Sequence, residues 1–198
     1  MTTRGEFVSR AGSKLAHALN AFSVDPTGLI CADFGCNAGG FTDCLLRRGA
    51  VKVIAVDTGY GMLDWNLRND PRVDVHERTN ALHMAAPTPR VDLVVIDMAW
   101  TPQRRSIPAA LAWLAARGRI VTLIKPHYEA IGPEKKALVK GVLPGEVASA
   151  VVARVLAEMV AVGARVVAQT PSPLEGGAGN AEHLALLEPL DSASPSGS

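Results

Sequence analysis

Three ionisable residues stand where apolar runs stop. Asp97 closes the run in "LVVIDMAW", Lys125 closes the run in "VTLIKPHYE", and Glu182 lies just ahead of the run in "GNAEHLALLEP". A fourth, Lys14 in "SRAGSKLAHAL", belongs to a helix-period segment before the first such run. Each has an ordinary reading by itself: a solvated helix position, a loop cap, a surface turn residue. Two lysines and two acids at these places together point to chemistry in which a hydroxyl nucleophile loses its proton while attacking an electrophilic methyl group. A lysine takes that proton only as a neutral amine, which burial and a second ammonium favour, whereas carboxylates hold the lysines in place and stabilise charge. A buried strand is a rigid mount for such an amine, and Pro126 ends the strand pairing directly after Lys125.

The stretch "ADFGCNAGGFTDCLL" puts Asp33, Gly35, Asn37, Gly39, Gly40 and Phe41 at a strand-to-helix junction. In a doubly wound sheet, ligands sit beyond the carboxyl ends of the strands at such a junction, and glycines let the backbone approach them. The spacing is GxxxGG rather than the GxGxxG of a dinucleotide pyrophosphate cradle. Asp57 ends the next run, about 22 residues after Gly35, where a carboxylate can take both hydroxyls of an adenosine ribose. This combination suggests S-adenosylmethionine, with Asp33, Gly35, Asn37, Gly39, Gly40, Phe41, Asp57 and Asp97 as candidate contacts. Asn80, in "ERTNA", is either an adenine-side contact or a turn former.

The elements that must position these groups are strand-length apolar runs alternating with helix-period segments. The runs are "LICADFG", "VKVIAVD", "VDVHERT", "DLVVIDM", "RIVTLIK", "RVVAQTP" and "HLALLEP", most of them continuous and so expected to be buried on both faces. The pattern predicts an α/β fold with crossover helices. Helices are expected over "GGFTDCLLRRG", "SIPAALAWLAARG" and "GEVASAVVARVLAEMVAVG", the last with Val147, Val151, Val155 and Met159 on one face and Gly163 as its stop. A further helix is expected from about Ser9, its N-cap, to Phe22.

One domain over residues 1–190 is expected, followed by a disordered polar tail at 191–198. No apolar run reaches the roughly 20 residues of a membrane span, and no signal-peptide core follows the first charges, so a cytoplasmic protein is expected. Cys31, Cys36 and Cys44 lack CxxC spacing and are odd in number, which favours reduced core or loop thiols over metal ligands; no metal is expected. The formal net charge of +1 gives little long-range field for nucleic acid.

The segments "VSRAGSKLAHAL", "DFGCNAGGFTDCLLRRGA", "VIAVDTGYGMLDWNLRNDPRV", "ERTNA", "DLVVIDMAW", "LIKPHYEA" and "TPSPLEGGAGNAEHLALL" together resemble the methyltransferase domain of the TlyA family of hemolysin-named ribosomal RNA methyltransferases, within the FtsJ-like RNA 2′-O-methyltransferases. The resemblance spans about residues 7 to 190. It implies a Rossmann-like, seven-stranded, mostly parallel sheet with an antiparallel last strand. It also implies S-adenosyl-L-methionine as cofactor, and a Lys-Asp-Lys-Glu tetrad at Lys14, Asp97, Lys125 and Glu182 with Lys125 as the base for a ribose 2′-hydroxyl. Members of that family carry a small RNA-binding domain ahead of the "VSR" motif, and this sequence starts almost at that motif.

RNA, ribosomal RNA or a ribosomal subunit, is therefore the expected partner, with a recruiting protein or an oligomer as further candidates. Backbone contacts are expected from Arg4, Arg10, Arg104, Arg105, Lys135, Lys136 and Lys140, whereas Arg47 and Arg48 suit a helix C-terminus better. Trp100 and Tyr128 are placed to stack a splayed base or to wall the pocket, and Trp65 and Trp113 read as core or lid residues. Two other classes remain open on the same scaffold: a small-molecule O-methyltransferase and a non-catalytic RNA-binding factor.

Overall fold

A computed structural model describes residues 6–190. Arg4 and the 191–198 tail lie outside the described residues. In chain order the elements are α1 (Ala11–Ala21), β1 (Ile30–Phe34), α2 (Gly40–Arg47), β2 (Lys52–Val56), α3 (Trp65–Arg68), β3 (Val73–His76), β4 (Val91–Ile96), α4 (Gln103–Trp113), β5 (Leu114–Ile124), α5 (Pro126–Glu129), α6 (Gly132–Lys136), α7 (Gly145–Glu158), β6 (Ala164–Pro171) and β7 (His183–Pro189). The seven strands form one sheet in the order β3-β2-β1-β4-β5-β7-β6, parallel except for β7, which runs antiparallel to both neighbours.

Side chains alternate across the sheet and divide the core in two. Ala32 and Phe34 of β1 face a layer built by α4 and α7, where Trp113 meets Phe34 edge-on at 4.8 Å. Cys31 of β1 faces the other layer, built by α1 and α2, with Leu15, Leu19, Phe41 and Leu45. All three cysteines are buried and unbridged, and burial pushes the Cys31 thiol up to about 12. Val151, Val155 and Met159 lie in the first layer as their spacing requires, and Gly163 stops that segment with φ +88°.

Several expectations need correction. β3 is only half-buried and β6 is largely exposed, because both are edge strands with a neighbour on one side only. α1 starts at Ala11 and has no side-chain cap; a β-carbon on Gly40 would collide with Ser9 Oγ, so that hydroxyl is packed against the start of α2 instead. α4 runs from Gln103, earlier than its apolar periodicity suggested, and β5 begins at Leu114, where the helix stops. Trp65 is 73% exposed: α3 is a single turn that buries Leu67 against Gly39 and leaves the indole outside. Among the described residues no helix is long and apolar enough to cross a membrane.

Candidate active site

The strand order explains why distant residues meet. Parallel strands β1, β2, β4 and β5 all deliver their last residues to one edge of the sheet. β7, being antiparallel, delivers its first residue to that same edge: Ile124 pairs with His183, so Lys125 and Glu182 leave the sheet side by side. A cleft of about 620 Å³ opens there, lined by Lys14, Gly35, Asn37, Gly40, Phe41, Asp57, Asn80, Asp97, Lys125 and Glu182 among others.

The four charged residues resolve into two ion pairs. Lys14 Nζ donates to Glu182 Oε2 in a contact whose side chains are only 6% and 3% exposed. Lys125 Nζ lies 2.5 Å from Asp97 Oδ1, with both side chains more open to the cleft. That approach is off the hydrogen-bonding direction, so Asp97 Oδ1 has an ionic partner and no hydrogen-bond donor. Glu182 is backed by Gly176, where a β-carbon would strike its carboxylate. The loop carrying Glu182 is anchored by buried Asn180, whose Oδ1 accepts from Leu143 N at 3.2 Å and whose Nδ2 donates to Gly141 O at 2.9 Å.

The glycines separate into distinct roles. Gly35 has φ +89°, and a β-carbon there would come within 2.8 Å of Asp97 O; it lets β1 and β4 end in contact beneath the cleft. Gly40 admits the start of α1, which brings Lys14 over the site. Gly39, with φ +95°, does not line the cleft but packs toward Leu63 and Leu67. Asp57 receives Asn37 N on Oδ2 at 2.9 Å and Gly59 N on Oδ1 at 2.7 Å, which fixes the carboxylate while each oxygen keeps a lone pair. Asn80 lines the cleft, and its Oδ1 accepts from Leu82 N at 3.0 Å in a local turn.

Asp33 does not line the cleft and is fully buried below it. The period of β1 points it at α2, where it accepts from Thr42 Oγ1 at 2.7 Å, and its Oδ1 has no donor. Burial first, with Asp97 and Asp57 adding repulsion, pushes this carboxyl up to about 7 from 3.8, against the hydrogen bond from Thr42. The native protein thus keeps a proton that the unfolded chain loses near 3.8, so stability falls as pH rises from about 4 to about 7 and then levels. Asp33→Asn lacks this titration. Its stability relative to wild type should rise by roughly 2 to 3 kcal/mol between pH 5 and pH 8. Urea unfolding at the two pH values checks this; equal changes in both proteins would contradict it.

At the rim, Trp100 is 79% exposed and held at φ +62°, a backbone region that bulky residues rarely occupy. It stacks on Tyr128 with ring centres 4.4 Å apart and planes tilted by 37°, and the Tyr128 ring in turn lies 4.0 Å from that of His127. Arg104 and Arg105, at the start of α4, and Lys135, Lys136 and Lys140 are exposed or partly so. Arg10 lines the cleft mouth. Arg47 and Arg48 are engaged within the fold: Arg47 Nε donates to Asp43 Oδ1 at 2.7 Å, and Arg48 Nη1 to Asn20 Oδ1 at 2.7 Å. Thr58, Gly59, Thr79, Met98 and Gly176 also line the cleft and were not singled out from sequence. Their one signal there is adjacency to Asp57, Asn80, Asp97 and the Glu182 loop. Among the described residues no group of three or more His, Cys, Asp or Glu side chains could hold a metal ion.

Comparison with known proteins gives the family and the fold. A profile of the FtsJ-like methyltransferase family matches residues 7–188. The chain belongs to the FtsJ-like methyltransferase family, in its TlyA-type branch. This FtsJ-like methyltransferase is 41% identical over 192 residues to the 16S/23S rRNA (cytidine-2′-O)-methyltransferase TlyA of Mycobacterium tuberculosis, spanning 91% of the present chain and 68% of the relative. Among solved structures, a hemolysin-designated protein of Streptococcus thermophilus superposes with a TM-score of 0.89 at 34% identity, over 96% of this chain and 70% of that one. An S-adenosylmethionine-dependent methyltransferase of Mesorhizobium loti shares the fold alone, with a TM-score of 0.61 at 15% identity over 86% of this chain and 95% of that one. The seven-stranded sheet with its antiparallel last strand is that of FtsJ-like and other methyltransferases.

Proposed function

We propose that this FtsJ-like methyltransferase moves a methyl group from S-adenosylmethionine to a ribose 2′-hydroxyl of RNA, with Lys125 as the base. The observation that carries the reading is the convergence of Lys125, paired with Asp97, and of the Lys14–Glu182 pair on one cleft beside the glycine turn. The residues fit the cofactor: Asp57 keeps a lone pair on each oxygen for ribose hydroxyls, and Gly35, Asn37, Gly40 and Asn80 line the same cleft. When bound, S-adenosylmethionine supplies an electrophilic methyl on a sulfonium, which is already a good leaving group.

The protein's own part is alignment and proton transfer. Once its own proton has left to solvent, the free amine of Lys125 accepts the proton of the attacking hydroxyl, and the neighbouring carboxylate of Asp97 stabilises the ammonium that results. Lys14 and Glu182, largely dehydrated, hold α1 against the start of β7 and wall the acceptor side. Trp100 on Tyr128 offers a flat, exposed surface for a base turned out of its stack, and Arg104, Arg105 and Arg10 are placed for phosphates. Ribosomal RNA is the acceptor class that this protein shares, on this reading, with its TlyA relative.

The test is transfer of labelled methyl from S-adenosylmethionine to separated ribosomal subunits, free RNA and a protein-free metabolite extract. Label in RNA or subunits is expected. Label in metabolites alone would make the protein a small-molecule methyltransferase, and no label together with no cofactor binding would make it a non-catalytic member of the fold.

A further inference from the structure

The loop that leaves Asp97 and the segment that carries Lys125 are tied together by groups outside the cleft. Gln103, buried at the start of α4, donates from Nε2 to Leu123 O at 3.1 Å and accepts on Oε1 from Thr122 Oγ1 at 2.7 Å. Both partners lie on β5 just before Lys125. The backbone N–H of Gln103, one of the free donors at a helix start, donates to Glu129 Oε1 at 2.8 Å. Glu129 is buried on α5 just after Lys125, and its own N–H returns to Lys125 O at 3.2 Å. Its carbonyl accepts from Arg154 Nη2 at 2.9 Å, which anchors α5 to α7. Gln103, six residues after Asp97, therefore grips the chain on both sides of Lys125.

We propose that Gln103 and Glu129 form a latch that sets the approach of Lys125 to Asp97, which makes Glu129 a positioning residue for the transfer step. The inference rests on the assignment of Lys125 as the base. Neither latch residue lines the cleft, so neither can act by touching cofactor or acceptor. A displacement of about 1 Å at a reacting group costs on the order of 100-fold in rate. The hydrogen bond needs an acceptor oxygen at position 129, which glutamine retains and leucine lacks.

The test compares Glu129→Leu, Glu129→Gln and Thr122→Val in the full chain. Glu129→Leu should lower kcat by about 100-fold and leave KM for RNA and for S-adenosylmethionine within about twofold, while Glu129→Gln should recover most of the rate. In parallel, the side-chain NMR signal of Lys125, assigned with Lys125→Arg, should move in Glu129→Leu and stay in Glu129→Gln. An unmoved signal with wild-type kcat in Glu129→Leu would overturn the latch, as would a Glu129→Gln variant as impaired as Glu129→Leu. If Glu129→Leu does not fold, Thr122→Val removes a donor from the other end of the latch and is read in the same way. The NMR arm needs no acceptor: wild-type protein that methylates no RNA would remove the proposed function, while the Lys125 signal still supports or overturns the latch.

Discussion

Lys125→Ala is expected to lower methyl transfer by roughly 10² to 10⁴-fold, the usual contribution of a positioned acid or base, and to leave cofactor binding nearly unchanged. The lysine stands at the end of β5, whereas the glycine turn, Asp57 and Asn80 that face the cofactor stand on the β1 to β3 side of the cleft. Removing the amine leaves Asp97 without its ionic partner, but its side chain is 18% exposed and can rehydrate, so the fold should survive. Single-turnover transfer and calorimetric binding of S-adenosylhomocysteine separate the two effects. Wild-type transfer in the variant would sink the assignment of the base.

The Lys14–Glu182 pair behaves differently because it is dehydrated. Lys14→Met alone strands a carboxylate that is 3% exposed, and loss of one partner of such a pair costs about 3 to 5 kcal/mol. Glu182→Leu alone strands the ammonium in the same way. The double variant Lys14→Met/Glu182→Leu buries no lone charge and should recover most of the lost stability. Methyl transfer should stay low in the double variant, since the wall of the acceptor site has changed chemistry. Chemical unfolding of the four proteins measures the coupling; single variants that each cost nothing would show that the pair is not buried in solution.

The apolar runs that end in a charge made most of this site legible in the sequence. Asp97, Lys125 and Asp57 could be placed because each is the first polar residue after a continuous buried run, and a strand end is a defined point in space. Glu182 was legible for the mirror reason, as the last acidic residue before a run that enters from the same edge. Lys14 was grouped with the strand-end residues from its place in the preceding helix, but nothing in a helical period says that α1 lies across α2; the decisive feature is the missing β-carbon of Gly40. Asp33 was read as a cofactor contact since it sits beside the glycines, yet a period of two turns it away from the cleft to Thr42. The pairing of the tetrad into two separate ion pairs, and the grip of Gln103 and Glu129 on Lys125, are tertiary and leave no periodic trace. Most runs are buried as expected, and β3 and β6 are the exceptions because a hydrophobic run does not say which element will lack a neighbour; Trp65 lies outside the core because the single turn of α3 buries Leu67 instead.

The most direct test of ribose methylation by this cleft locates the transferred methyl. RNA labelled by the wild-type protein from S-adenosylmethionine is hydrolysed in alkali, which cleaves every phosphodiester whose adjacent 2′-oxygen is free. Recovery of the label in alkali-stable dinucleotides, lost with Lys125→Ala, is the expected result. Label released on mononucleotides would place the methyl on a base and contradict a 2′-hydroxyl acceptor beside Lys125.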